Sequence, residues 1–331
     1  MLQARAAVRA ACADVEPGQL VLVACSGGPD SMALAAATAW VGERDGWRSG
    51  AVIVDHGLQE GSREIAEQAA QTCRLLGLDP VRVVDVVVGA AGGPEAAARD
   101  ARYAALNGVA DELGASVVLL GHTLQDQAET VLLRLARGSG ARSLAAMAPV
   151  NGRWRRPFLD LDRDLVATVA EEALTPIGAK PWRDPHNDDP RFTRVRVRAA
   201  LRDLERDLGP GIAPALARSA RLLRDDADAL DAIADDAWDR LVAVDRVDAG
   251  AAFSADVNTL ADLPRAVRTR VMRRMCLAAG SLGEDLTADH IAVVDRFVTD
   301  WSGQGRASLP GRVTAHREYG RLTVIANPDL E

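Results

Sequence analysis

The chain has little of what holds a secreted or metal-clustered domain together. Its 331 residues include four cysteines, Cys12, Cys25, Cys73 and Cys276, scattered and without a C-x-x-C pair. That excludes a zinc or cluster ligand set of ordinary spacing and a disulfide framework. Aromatic residues amount to 4% against 48% hydrophobic residues in all, so the core must rest on Ala, Val and Leu. Lys180 is the only lysine, and every other strongly basic side chain is arginine. Such uniform usage reads as coding bias, so arginine abundance alone says little. No signal pattern and no long uncharged apolar run is found, which predicts a soluble, cytoplasmic chain with no membrane partner. The net charge is −8, which excludes a protein that coats nucleic acid by bulk positive charge. A locally basic face stays open, because binding depends on where charge sits.

What the chain does have begins with Ser26-Gly27-Gly28-Pro29-Asp30-Ser31, between the apolar run Leu20–Cys25 and an alanine-rich stretch. This reads as strand, tight turn and helix start. The glycines allow close backbone approach, and Pro29 suits the first helical turn. The free N–H groups at the start of that helix form a seat for phosphate oxygens. Ser26 and Ser31 add hydroxyls, and Asp30 adds a carboxylate able to hold Mg²⁺. The loop lacks the lysine of a Walker A motif and the spacing of a dinucleotide fingerprint. It resembles the pyrophosphate-binding loop of the ATP pyrophosphatases, which cleave ATP to AMP and pyrophosphate.

The length suits about two domains. A lead-in helix is expected over 3–13, then strands over Leu20–Cys25, Gly50–Asp55, Val81–Val88 and Ser116–Gly121. Helices fall near 30–43, 61–77, 94–114, 124–137 and 162–174, with a loop over 138–163. The unalternating strands suit a parallel sheet covered on both faces, and so a doubly wound α/β fold. Ligands of such folds bind at the carboxyl ends of the strands. The phosphate loop, Asp55-His56 and Gly121-His122 all fall there. From about 205 the pattern turns mainly helical, with Leu216, Leu222, Leu223 and Leu230 on one amphipathic segment and a small helical domain over 255–301. A hairpin is expected over Ala307–Ile325. The domains are therefore 1–204, for catalysis, and 205–331, an appended helical domain.

A second constellation, Gly121-His122-Thr123-Leu124-Gln125-Asp126-Gln127-Ala128-Glu129-Thr130, lies where the fourth strand meets a helix. Asp126 and Glu129 share a helix face. With His122 they can bind Mg²⁺ or handle a proton. The plain alternative is an acidic first turn favoured by the helix dipole.

Four segments, Ser26–Ser31, Val54–Leu58, Arg99–Tyr103 and Gly121–Thr130, resemble bacterial tRNA(Ile)-lysidine synthetases in order and spacing. So do Arg137-Gly138, Arg156–Leu159, Asp184–Asn187 and Phe192–Arg198. The resemblance covers about residues 20–200 and suggests the family's shorter form. It implies an adenine nucleotide alpha hydrolase-like domain and a ligase. Such an enzyme is expected to use ATP to activate C2 of the wobble cytidine, position 34, of a CAU-anticodon tRNA(Ile), giving an adenylated base and pyrophosphate. Free L-lysine then displaces AMP to give lysidine. The implied roles are phosphate cradling by Ser26, Gly27, Gly28, Pro29 and Ser31, and Mg²⁺ binding by Asp30 and Asp126. Either Asp126 or Glu129 is also a candidate to hold the lysine amine. Arg102 and Arg99 are candidates for a phosphate clamp, His122 for phosphate or base, and Asp55 and His56 for the nucleotide pocket. Each has a structural alternative, a solvated helix face for the arginines and an ordinary hydrogen bond for the histidines.

Two departures stand out. The family usually reads GHHxDD at the second motif, where Thr123 here replaces the second histidine and Gln125 the first aspartate; and Val195 stands where an asparagine is common between the late arginines. For tRNA, candidates are Arg137, the run containing Arg194, Arg196 and Arg198, and a run in the appended domain containing Arg268 and Arg273. Arg194, Arg196 and Arg198 share a face if extended and spread if helical. Their alternative is pairing with the abundant carboxylates. A homodimer is possible. Competing readings are another ATP pyrophosphatase acting on a different carbonyl, or a noncatalytic tRNA-binding relative.

Overall fold

The structure, a computed structural model, describes residues 1–57, 61–87, 89, 94–247 and 250–326. Leu58 and Val88, which belong to one motif and one expected strand, lie outside the described residues. The chain divides into two compact units, Met1–Leu223 and Arg224–Glu331. Among the described residues no helix is long and apolar enough to cross a membrane.

The first unit opens with helix α1 (Leu2–Ala11). Then strand and helix alternate: β1 (Leu20–Ala24), α2 (Pro29–Asp45), β2 (Arg48–Asp55), α3 (Ser62–Leu75), β3 (Val81–Asp85), α4 (Pro94–Glu112), β4 (Val117–Leu119) and α5 (Leu124–Leu135). There follow α6 (Ala141–Leu144), β5 (Val150–Asn151), β6 (Trp154–Arg155), α7 (Arg163–Leu174), α8 (Thr193–Leu208) and the beginning of α9 (Ile212–Leu241), whose later residues belong to the second unit. The six-stranded sheet runs β3-β2-β1-β4-β6-β5 and is parallel except for the β5–β6 pair. Successive residues of β1 point to opposite faces. Val21 and Val23 join the core under α1, α2, α3 and α7, while Leu20 and Leu22 join the core with Leu106 and Val109 of α4. With both faces buried, no polar alternation survives in the sequence. This is the expected doubly wound fold.

The expected loop over 138–163 needs correction. It holds α6 and the strands β5 and β6. Val118 and Leu120 donate N–H bonds to Arg153 O and Arg155 O at 2.8 and 2.9 Å, so β6 extends the sheet beside β4. Trp154 packs edge-on to Tyr103, with ring centroids 4.8 Å apart. Two-residue strands carry no periodicity, so only tertiary pairing defines them.

The run Arg194, Arg196, Arg198 is helical, which removes the extended, shared-face option. Val197 and Leu201, one turn apart on α8, pack with Leu124, Ala128 and Leu132 of α5. That apolar stripe fixes α8 on α5 and decides which arginine reaches the α5 carboxylates.

In the second unit a five-stranded antiparallel sheet, order β7-β8-β11-β10-β9, accompanies the helices. Its strands are β7 (Ala243–Val247), β8 (Gly250–Asp256), β9 (Ala307–Leu309), β10 (Val313–Glu318) and β11 (Arg321–Ala326). The helices α10 (Val257–Ala261), α11 (Arg265–Ala278) and α12 (Ala288–Thr299) fill the stretch expected to be helical. The hairpin expected over 307–325 is β10–β11, with β8 and β9 added on either side.

Candidate active site

In the strand order of the first unit, β1 lies between β2 and β4 and the winding reverses there. A crevice therefore opens at the carboxyl ends of β1 and β4, the usual ligand seat of such sheets. Both sequence constellations stand on it.

After β1, Gly27 has φ +84°, a left-handed conformation that favours glycine. Gly28 is the extended N-cap of α2, and Pro29 begins the helix. Ser31 is buried and braces the loop: it accepts from Ser26 N–H at 3.2 Å and donates to Gly28 O at 3.0 Å. Ser26 is exposed and Ser31 is not, so Ser31 shapes the cradle rather than facing a ligand. Trp182 N–H donates to Gly27 O at 2.9 Å and ties a distant segment to the loop.

After β4, Gly121 stands against the start of α2. A Cβ there would lie 3.1 Å from the backbone carbonyl of Asp30. Glycine is what lets the two crevice walls meet. Thr123 then caps α5. Its N–H and hydroxyl approach Asp126 Oδ2 at 2.8 and 3.0 Å. This reciprocal cap gives Thr123, fully buried, a structural task. It leaves Asp126 Oδ1 for Arg163 Nη2, 2.7 Å away. Glu129, only 2% exposed, accepts from Arg198 Nε at 2.7 Å and Arg163 Nη2 at 3.2 Å.

Asp30, Asp126 and Glu129 thus face two arginines. Burial pushes the Asp30 carboxyl up to about 6, helped by the charge of Asp126 and opposed by Arg163 and Arg198. Burial also pushes Asp126 upward, but the Arg163 charge and the Thr123 N–H outweigh it and hold Asp126 below the usual carboxylate range. Asp30 Oδ1 is buried with no hydrogen-bond partner. An orphaned carboxylate oxygen beside a second carboxylate fits a divalent cation. Among the described residues no group of three or more His, Cys, Asp or Glu is placed to hold a metal. Two carboxylates completed by substrate phosphate oxygens is the ordinary Mg²⁺ arrangement.

A cationic zone adjoins this one. Burial lowers the His122 pKa to about 3, and Arg156, Arg102 and Arg99 add to the effect against Asp126. His56 is lowered by burial and by Arg102. Both rings are neutral at pH 7, and each has a buried Nδ1 without a partner. Arg102 Nε is likewise buried and unpartnered. Arg99 lies 3.4 Å from the Tyr103 hydroxyl and Arg156 is 3.5 Å from the same atom. Asp55 closes the end of β2 by accepting from Gly57 N–H at 2.9 Å. Guanidinium groups with open donors around His122 and His56 suit a polyanion.

The structure also brings in residues the sequence reading left without a role. Arg163 and Arg156 are the clearest. Arg163 occupies the first position of α7, where the helix dipole disfavours a cation. That broken rule is the signal that could have drawn attention to it, since local rules fail most often at functional sites.

The tRNA candidates separate. Arg137 and Arg194 are exposed. Arg196 donates to Pro190 O and Arg191 O, both at 2.8 Å, at the start of α8. Arg198, expected at the tRNA face, lies in the carboxylate cluster instead. Arg268 needs correction: it is 7% exposed and donates to Asp295 at 2.7 Å, so it is committed to the interior of the second unit. Arg273, partly exposed, donates to Leu286 O and Gly283 O. Arg270 and Arg274 of the same helix pair with Asp231 and Asp235. The alternative of pairing with abundant carboxylates accounts for much of that run.

A PP-loop domain model matches residues 2–205, and a TilS substrate binding domain model matches residues 256–323. The chain is 59% identical over 324 residues to the tRNA(Ile)-lysidine synthase of Thermobifida fusca, covering 98% of this chain and 97% of that one. It is 54% identical over 309 residues to the tRNA(Ile)-lysidine synthase of Streptomyces coelicolor, covering 92% and 85%. Among solved structures it resembles the U34-tRNA thiolase NcsA from Methanococcus maripaludis with its [4Fe-4S] cluster. The TM-score is 0.55 at 20% identity, over 67% of this chain and 78% of that one. That likeness concerns the fold. The four cysteines of this chain are all buried.

Proposed function

The chain belongs to the tRNA(Ile)-lysidine synthase family, and on that premise we propose how its site carries out the reaction. The enzyme is an ATP-using ligase that forms lysidine on tRNA(Ile). In our reading the exocyclic oxygen at C2 of cytidine 34 attacks the α-phosphorus of ATP and pyrophosphate leaves. The ε-amine of free L-lysine then attacks C2, AMP departs, and the amine loses its extra proton to a carboxylate of the site.

The chain's own residues divide the work. The loop Ser26–Ser31 receives the phosphates on backbone N–H groups and the Ser26 hydroxyl. Arg99 and Arg102 draw charge toward the leaving pyrophosphate. His122 and His56, neutral, offer hydrogen bonds to phosphate or base, and Asp55 shapes the nucleotide pocket. Asp30 and Asp126 would hold Mg²⁺, which would supply charge neutralisation at the phosphates. Glu129 with Asp126 receives the lysine ammonium, and Arg163 and Arg198 hold those carboxylates in place. Arg137, Arg194 and Arg196 contact the RNA backbone. Residues 1–204 carry the ATP chemistry, and 205–331 select the tRNA. Cytoplasmic location and a homodimer belong to the same reading, and light scattering tests the latter.

The observation that carries most weight is the meeting of the phosphate loop and the Asp126–Glu129 cluster across one crevice, with the Asp30 oxygen open between them. The test mixes purified protein, Mg-ATP and labelled lysine with a CAU-anticodon tRNA(Ile) transcript. Label should enter RNA only with ATP and a wobble cytidine. Equal incorporation into a wobble C→U transcript would refute the reading.

A further inference from the structure

We propose that Gln125 is a positioning residue whose side-chain amide sets Arg163 against the Asp126 and Glu129 carboxylates. Gln125 belongs to the first turn of α5 and is half-buried. Its Nε2 donates to Asp162 Oδ2 at 2.5 Å, and its Oε1 accepts from the Arg163 backbone N–H at 2.8 Å. Asp162 is the N-cap of α7, and its other oxygen accepts from Asp164 N–H at 2.9 Å. Beside this, Leu124 N–H donates to Leu161 O at 3.0 Å. The two helix starts are therefore stapled together through one amide and one backbone bond.

The staple explains an otherwise unfavourable placement. A cation at the first position of a helix sits at the positive end of the dipole and tends to swing outward. Arg163 instead reaches back to Asp126 and Glu129, at 2.7 and 3.2 Å. It can do so because its backbone is pinned one residue after the Asp162 cap. Only a side chain with both a donor and an acceptor fits between Asp162 and the Arg163 N–H. An ionised carboxylate at 125 would accept from Arg163 but would face Asp162 with like charge. The departure at Gln125 thus has a local reason. A fixed carboxylate pair holds a substrate ammonium better than a mobile one, because less ordering remains to be done on binding. The link to lysine capture rests on the function proposed above; the staple itself does not.

The test compares wild type, Gln125→Glu, Asp162→Asn and the double variant. Gln125→Glu keeps length and the acceptor but removes the donor. Asp162→Asn restores a donor and still caps α7. We expect Gln125→Glu to raise KM for lysine about tenfold, the scale of one charge-assisted contact. KM for ATP should stay within about twofold, because Asp126 is still held by the Thr123 N–H and hydroxyl when Arg163 is loosened. Adding Asp162→Asn should bring KM for lysine back to within about twofold of wild type. A merely destabilised protein would lose kcat with both KM values unchanged. The proposal is overturned if Gln125→Glu leaves KM for lysine unchanged, or if the second substitution fails to reverse the rise. Melting temperatures of the four ligand-free proteins give an activity-independent reading. Coupled shifts support the staple even if no lysine is incorporated, in which case the functional reading fails instead. Additive shifts overturn the staple whatever the activity.

Discussion

Arg163 Nη2 lies 2.7 Å from Asp126 Oδ1 and 3.2 Å from Glu129 Oε1, so one guanidinium spans two carboxylates a helical turn apart. Arg198 reaches Glu129 from α8 at 2.7 Å. Three helices, α5, α7 and α8, thus meet at one buried carboxylate.

Removing Arg163 as Arg163→Gln leaves Glu129 buried with Arg198 alone. The expected loss of folding stability is about 1–3 kcal/mol, the usual consequence of a buried charge losing a hydrogen-bond donor. Urea unfolding measures it. An unchanged midpoint would show that Arg198 satisfies Glu129 unaided.

Asp126→Asn should lower pyrophosphate release at least about a hundredfold, the scale of losing one electrostatic stabiliser of the transition state. A chelator should stop release from wild type, and added Mg²⁺ should restore it. Near-normal release by the variant would sink the metal role assigned to Asp126.

Asp30 carries a pH signature. Its carboxyl lies at about 6 in the folded chain against an ordinary value of 3.8. A raised acid keeps its proton in the folded state after the unfolded chain has lost it. Its stabilising contribution is therefore full below about pH 4 and lost as pH rises through about 6. Ligand-free wild type should lose about 3 kcal/mol relative to Asp30→Asn between pH 4 and 7. The variant should accordingly melt higher than wild type at pH 7 while losing activity. A pH-independent difference between the two would contradict this account.

Arg268→Ala should act on stability rather than on RNA. The Arg268–Asp295 pair is buried on both sides, each side chain 9% exposed. Removing one partner of such a pair costs about 3–5 kcal/mol. Below the melting temperature, tRNA affinity and its salt dependence should match wild type. A reduced salt slope would return Arg268 to the RNA face.

Much of the catalytic unit was legible because its signals are local. The turn after β1 needs glycine and a helix start, and strands buried on both faces read as plain apolar runs. The carboxylates at Asp126 and Glu129 fall three residues apart whatever the tertiary structure does. What stayed hidden depends on pairing between distant segments. Strands β5 and β6 are too short to show a period. The five-stranded sheet of the second unit joins β8 to β11 across the helices between them.

The sequence by itself determined the doubly wound fold, the phosphate loop and the acidic turn facing it, because backbone geometry and hydrophobic periodicity act over a few residues. Tertiary structure alone decided what each arginine does. A guanidinium carries the same charge on an RNA-facing surface, in a buried pair or beside a catalytic carboxylate. Arg198 joined Glu129 because Val197 and Leu201 pack on α5, and Arg268 went inside because Asp295 awaited it there. Charge is written in the chain, but its partner is fixed only by which apolar faces close against each other.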